Sequence, residues 1–137
     1  MMGFNRASAT DRIVFLVLYV AAGAVIVWTG FQLTDHGLEM RFVNSFMKPW
    51  QVGMAGYDAN HGIYPVFDGN NHVAYMEALI ERMQQNGITP PDSNAEVAYR
   101  YRINRFGGRD EDVFLLCLAG RIMIYGLSQK TLNRLDQ

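Results

Sequence analysis

The chain has 137 residues, half of them hydrophobic, and its 12 Lys and Arg against 13 Asp and Glu give a net charge of −1. This near-neutral balance argues against general nucleic-acid binding, which needs a surplus of cationic side chains against phosphate. The single cysteine, Cys117, excludes an intramolecular disulfide. Its place in the apolar run 113–119 predicts a buried, unreactive side chain.

A long uncharged segment follows the N-terminus. Ile13–Phe31 has no charged side chain, and the uncharged run extends to Thr34. At about 1.5 Å per residue a helix of this length reaches about 28–33 Å, the thickness of a bilayer's hydrocarbon core. The run is longer than the apolar part of a cleaved secretory signal. We therefore predict an uncleaved transmembrane helix over 13–33, preceded by a leader over 1–12.

The charges that flank this segment indicate its orientation. Arg6 and Arg12 precede it, whereas Asp35, His36 and Glu39 follow it. Basic residues favour the cytoplasmic side of a membrane, so we expect the N-terminus inside and the rest of the chain outside. In a bacterial inner membrane that places the C-terminal domain in the periplasm.

Small residues interrupt the apolar segment, with Gly23 and Gly30 seven positions apart. Small side chains let helices approach closely in lipid, so these glycines are candidate contacts with a helix of another subunit. The alternative is that Gly and Ala are simply common in transmembrane helices.

The segment 34–50 predicts a second, amphipathic helix that ends near Pro49. Its apolar residues recur every four positions, at Leu38, Phe42, Phe46 and Trp50. We consider Phe42, Phe46 and Trp50 as partner-binding residues on a juxtamembrane face. This stripe either packs on the chain's own domain or a neighbouring subunit, or it lies along the lipid headgroups.

The segment 51–70 is rich in Gly and Pro and predicts a loop. Asp58, His61, Asp68 and His72 lie in or beside it and would be the site of an enzyme or a metal ion. Their spacing matches neither a calcium loop nor a zinc motif, and Asp, Asn and Gly are turn formers in their own right. We predict turn chemistry here, with no metal, no cofactor and no catalytic residue.

The remainder predicts an α+β domain over 51–137. A helix over 71–85 has one apolar face and a stop at Asn86-Gly87. Strands over 97–104, 113–119 and 121–127 form a three-stranded antiparallel meander, with a hairpin turn at Gly120-Arg121. Ser128 then caps a short helix whose leucines, Leu132 and Leu135, face inward. The meander is expected to pack on one or both of these helices.

Three arginines, Arg100, Arg102 and Arg105, give the first strand a basic face. Arginine suits an acidic partner surface or lipid headgroups. The alternative is a solvated face on which acidic neighbours pair with these arginines.

These features together favour a non-enzymatic, single-pass subunit of a larger membrane or cell-envelope complex. Its expected partners are other membrane subunits and the bilayer, with a homo-oligomer as a further option. The alternative functions are a membrane-anchored ligand-sensing or envelope-binding domain and, third, an enzyme.

Overall fold

The computed structural model describes residues 9–137 and is dominated by one helix of 51 residues, Ala9–Ala59. It consists of α1 (Ala9–Phe42), a π-helical turn (Val43–Met47) and α2 (Lys48–Ala59). No residue in the apolar part of α1 is buried, and this part is long and apolar enough to cross a membrane. Residues 1–8 of the predicted leader lie outside the described residues, and 9–12 belong to α1.

The predicted loop at 51–70 is wrong in its first half, because α2 continues to Ala59. Pro49 is the second residue of α2 and directly follows the π-helical turn, so the regular bonding to the fourth preceding residue is already interrupted where its backbone N–H is missing. Gly53 and Gly56 lie inside the helix, and a Cβ on Gly53 would be 3.6 Å from the methyl carbon of Met83. This is an ordinary van der Waals distance, so the packing of α2 does not require a glycine at position 53.

The π-helical turn has a cause in the sequence. In an ideal α-helix, residues four apart rotate away from each other by about 40° per step, so a strict four-residue stripe drifts around the helix. A wider turn rotates less per residue, and the backbone N–H of Lys48 bonds the carbonyl of Val43 five residues earlier. Phe42, Phe46 and Trp50 consequently remain on one buried face.

The sheet is a meander with strand order β1-β2-β3, as predicted. Its strands are β1 (Arg100–Ile103), β2 (Glu111–Leu118) and β3 (Arg121–Tyr125). Because Leu118 pairs with Arg121, the hairpin turn is Ala119-Gly120 and not Gly120-Arg121. Gly120 is the residue with positive φ, at 68°.

Helices α3 (His72–Gln85) and α4 (Gln129–Leu135) complete the fold. At the end of α3, Gly87 has a φ of 75° and the N–H of Ile88 bonds the carbonyl of Met83, as predicted for a glycine stop. Ser128 caps α4 by accepting a hydrogen bond from the N–H of Thr131. The expectation that Leu132 faces inward is wrong, since it is 42% exposed.

The core lies between the buried face of the long helix, the sheet and α3. The rings of Phe42 and Phe46 contact that of Tyr101 on β1 at 5.2 and 5.1 Å. Trp50 donates its indole N–H to the carbonyl of Ala98 at 3.1 Å. The remaining buried residues include Met54, Tyr57, Tyr75, Met76, Leu79, Met83, Ile103, Val113, Leu115, Leu116 and Cys117.

The two edges of the sheet differ. The side chain of Asn94 forms the hydrogen bonds that a neighbouring strand would form with Arg102 of β1. Its amide group donates to the carbonyl of Arg102 at 2.7 Å, and its oxygen accepts from the N–H of Arg102 at 2.8 Å. Ser93 likewise donates to the carbonyl of Arg100. No other described segment forms a backbone hydrogen bond to the outer edge of β3.

Candidate functional site at the exit of the long helix

The buried side chain of Arg105 joins the long helix to the rest of the domain. Arg105 follows β1, and its side chain is only 6% exposed. Its guanidinium lies 2.9 Å from the carboxylate of Glu39 and 3.8 Å from that of Asp35, both on α1. It also lies 3.3 Å from the carboxylate of Glu111 at the start of β2.

Helix α4 contributes the other side of this cluster. Arg134 lies 3.3 Å from Glu39. Ser128 and Thr131 each donate a hydroxyl to Glu111 at 2.8 Å. Burial by itself raises the pKa of Glu111, but these hydrogen bonds and the charge of Arg105 outweigh burial and hold the pKa below its usual value. The ionised carboxylate is therefore the stable form in the fold.

The cluster brings together three carboxylates and two guanidinium groups, those of Asp35, Glu39, Glu111, Arg105 and Arg134. Some of its buried atoms have no well-aligned hydrogen bond among the described residues: Asp35 Oδ1, Glu39 Oε1, Arg105 Nη1 and Arg134 Nε. The side of the cluster with Asp35 and Glu39 is thus held by Coulomb contact, whereas Glu111 is held by hydrogen bonds from Ser128 and Thr131 as well.

A cavity of about 710 Å³ opens beside this cluster. One wall is the face of α1 that carries Trp28, Phe31 and Asp35, and the other walls are the segments 105–112 and 126–134. The ring of Phe106 contacts that of Phe31 at 5.2 Å and is 64% exposed. The cavity therefore runs from an aromatic end to a charged end.

The charged groups around the cavity are engaged to different degrees. Asp110 accepts a hydrogen bond from the backbone N–H of Arg105 at 2.9 Å, and Asp112 forms an ion pair with Arg102 at 2.7 Å. By contrast, Arg109 and Lys130 form neither an ion pair nor a hydrogen bond with any described residue. The cavity lining thus holds four carboxylates and four basic side chains, and of the basic ones Arg109 and Lys130 are not engaged with any described residue.

The structure separates the three arginines that the sequence analysis grouped together. Arg102 is exposed, and Arg100 is exposed with its guanidinium 6.0 Å from the ring of Phe114. Arg105 is the buried centre of the cluster with Asp35 and does not lie on the same face. Sequence reasoning missed Asp35 and Glu39 as its partners, although they are four residues apart and continue the buried stripe of the long helix.

The other predicted partner-binding residues lie in two environments. Phe42, Phe46 and Trp50 are fully buried in the chain's own core, the first alternative named for their stripe. A Cβ on Gly23 or Gly30 would have no neighbour within 4 Å, so both glycines are open to contact from outside the chain.

The polar residues around 58–72 are placed in turns and aromatic contacts. Asp68 accepts hydrogen bonds from the N–H groups of Asn70 and Asn71 at 2.8 and 2.9 Å. Asp58 accepts from the hydroxyl of Tyr64 at 2.5 Å, and His72 packs edge-on against Phe67. Among the described residues no cluster of three or more His, Cys, Asp or Glu could hold a metal ion.

Cys117 lies in the core beneath α3, and burial raises the pKa of its thiol to about 12. A protonated, buried thiol is a poor nucleophile. No protein-family model matches the chain, and neither a curated protein sequence nor a solved structure is significantly similar to it.

Proposed function

We propose that this chain is a non-enzymatic, single-pass subunit of a larger membrane or cell-envelope complex. One observation carries the proposal: a single helix of 51 residues continues from an exposed apolar segment directly into the core of the folded domain. The exposed segment needs lipid or protein around it, because so large an apolar surface is unfavourable in water. The domain is then held close to the membrane surface.

The segment offers two kinds of contact in this proposal. Its apolar side chains face lipid, whereas Gly23 and Gly30 give another transmembrane helix a surface for close approach. The folded domain adds contacts outside the bilayer, with Arg100 and Arg102 available to an acidic partner. The flanking charges favour a periplasmic domain at a bacterial inner membrane.

The test is to purify the tagged full-length protein from its native cells in a mild detergent and to determine the native mass. We expect a large complex of defined composition, together with membrane association that resists alkaline carbonate. A monomer or a small homo-oligomer in the membrane fraction would contradict the complex while leaving the anchor intact. Recovery in the soluble fraction would contradict the anchor itself.

The second candidate is a membrane-anchored ligand-sensing or envelope-binding domain. The cavity of about 710 Å³ next to α1 favours it, because a ligand bound there would contact the helix that leaves the domain. A lone monomer in the native-mass experiment would support this candidate over the complex subunit.

A further inference from the structure

The cavity beside residues 28–35 of α1 spans the predicted boundary between the membrane and water. Trp28, Phe31 and Asp35 lie on one face of α1 and line the cavity together. Trp28 and Phe31 belong to the predicted transmembrane span, 13–33, whereas Asp35 lies just beyond it. Over about 10 Å of helix, the cavity wall thus changes from aromatic to charged.

The loop after β1 places a third aromatic residue, Phe106, beside Trp28 and Phe31. Phe106 lies against Phe31 and remains 64% exposed. Trp and Tyr are the side chains enriched where a membrane meets water, and Trp28 is of this kind. Because α1 enters the core without a break, the position of Phe106 relative to the span is fixed by the fold.

The opposite side of the cavity carries two basic side chains that are free to bind an anion. The carboxylates of Asp35, Glu111 and Asp112 pair with Arg105 or Arg102, and Asp110 accepts a hydrogen bond from the backbone N–H of Arg105. Arg109 and Lys130, by contrast, have no partner among the described residues. Arg105 also lines the cavity, but its buried Nη1 atom already lies 2.9 Å from the carboxylate of Glu39, so Arg109 and Lys130 are the basic groups left for a ligand. An amphipathic anion matches this arrangement, with its anionic group at the basic side and its apolar part along Trp28 and Phe31.

We propose that the cavity binds the headgroup of an anionic phospholipid of the membrane that α1 spans, with Arg109 and Lys130 facing its phosphate. The proposal rests on the anchoring proposed above. A bound lipid fills the space between the domain and the bilayer. Its acyl chains lie along the exposed face of α1.

The experiment titrates phosphatidylglycerol into detergent micelles that contain the full-length protein and counts bound lipids by native mass spectrometry. Removing the charges with Arg109→Ala and Lys130→Ala together should raise the half-binding concentration roughly thirtyfold, at about 1 kcal/mol for each basic residue. The matched control is Lys48→Ala with Arg121→Ala, which removes the same charge from exposed positions outside the cavity and should leave binding unchanged.

Three results would overturn the proposal. Equal half-binding concentrations for the two double variants would show that net charge and not the cavity attracts the lipid. Equal retention of phosphatidylcholine would remove the role of the anion, and equally tight binding of soluble glycerol phosphate would exclude a membrane lipid as the specific ligand. Membrane extraction with carbonate, run on the same variants, reports anchoring separately.

Discussion

The two halves of the long helix have the same backbone structure and opposite surroundings. Before Asp35 every described residue of α1 is exposed, whereas the second half carries Phe42, Phe46, Trp50 and Tyr57, all fully buried. Helical structure therefore does not distinguish the two roles. The difference comes from side-chain pattern: the first half is apolar on all sides, and the second is apolar on one stripe. One half needs surroundings that the chain does not provide, and the other half organises the chain's own core.

The largest effect is expected when aspartate replaces a leucine, once in the buried core and once in the exposed half of the long helix. Leu116 on β2 is fully buried, so Leu116→Asp places an unpaired charge in the core and should abolish the cooperative unfolding transition of the domain. Leu18→Asp, at an exposed position in α1, should leave that transition in place and disfavour membrane insertion by about 2.5–3.5 kcal/mol. Thermal melting and membrane fractionation measure the two outcomes. Unchanged melting of Leu116→Asp would refute the described core.

The next largest effect is expected from removing the ion pairs that connect the long helix to the sheet. Arg105→Ala leaves the buried carboxylates of Glu39 and Glu111 without their main cation, and we expect a loss of about 3–5 kcal/mol in the free energy of unfolding. The control is Arg102→Ala, which breaks the exposed ion pair with Asp112 and should barely change the denaturation midpoint. Equal midpoints for the two variants in chemical denaturation would contradict a structural role for the cluster.

A smaller effect depends on pH. The folded pKa of Glu111 lies below the ordinary carboxyl value of 4.5, so its ionised form stabilises the fold at higher pH. That stabilisation is lost as the pH falls through the folded pKa. In Glu111→Gln the melting temperature should therefore fall less steeply as the pH is lowered. Glu81→Gln, on an exposed part of α3, should show the same fall as the wild type. Parallel acid limbs in the wild type and Glu111→Gln would argue against this linkage.

The smallest effect on stability is expected in the first half of the helix. Nothing lies within 4 Å of a Cβ on Gly23, so Gly23→Leu should leave both the domain's melting temperature and membrane insertion unchanged. If a partner helix packs there, the bulkier side chain should release the protein from its complex. Val25→Leu is the control on another face of the helix, and co-purification should report the difference. Wild-type recovery of Gly23→Leu with its partners would remove the glycine from the interface.

Elements with a local signal were predicted well from sequence. The stop of α3 at Gly87 and the three strands follow from turn residues and from the spacing of apolar side chains. The continuation of the long helix through Pro49 and Gly53 was not predicted, because both residues usually end helices. In the structure Pro49 directly follows the π-helical turn, and Gly53 lies inside the helix against the buried side chain of Met83.

The candidate site could not be predicted from local sequence patterns, for a different reason. The cluster around Arg105 draws its partners from α1, β2 and α4, which are far apart in sequence. Only the fold brings these segments together. A usable signal was nevertheless present, since Asp35 and Glu39 lie seven and three residues before Phe42 and therefore share its helix face, although they stand outside the four-residue spacing of the stripe. Charged residues at such positions indicate a buried partner of opposite charge.

Only one of the two edges of the sheet is free to pair with a further strand. Asn94 and Ser93 already occupy the hydrogen-bonding groups of Arg102 and Arg100, so an incoming strand can pair only with β3. Two copies joined through β3 would present two blocked edges to the solvent, and growth of the sheet would end at the pair. A longer polymer of this chain would therefore have to be built through its helices and not by continuous strand pairing.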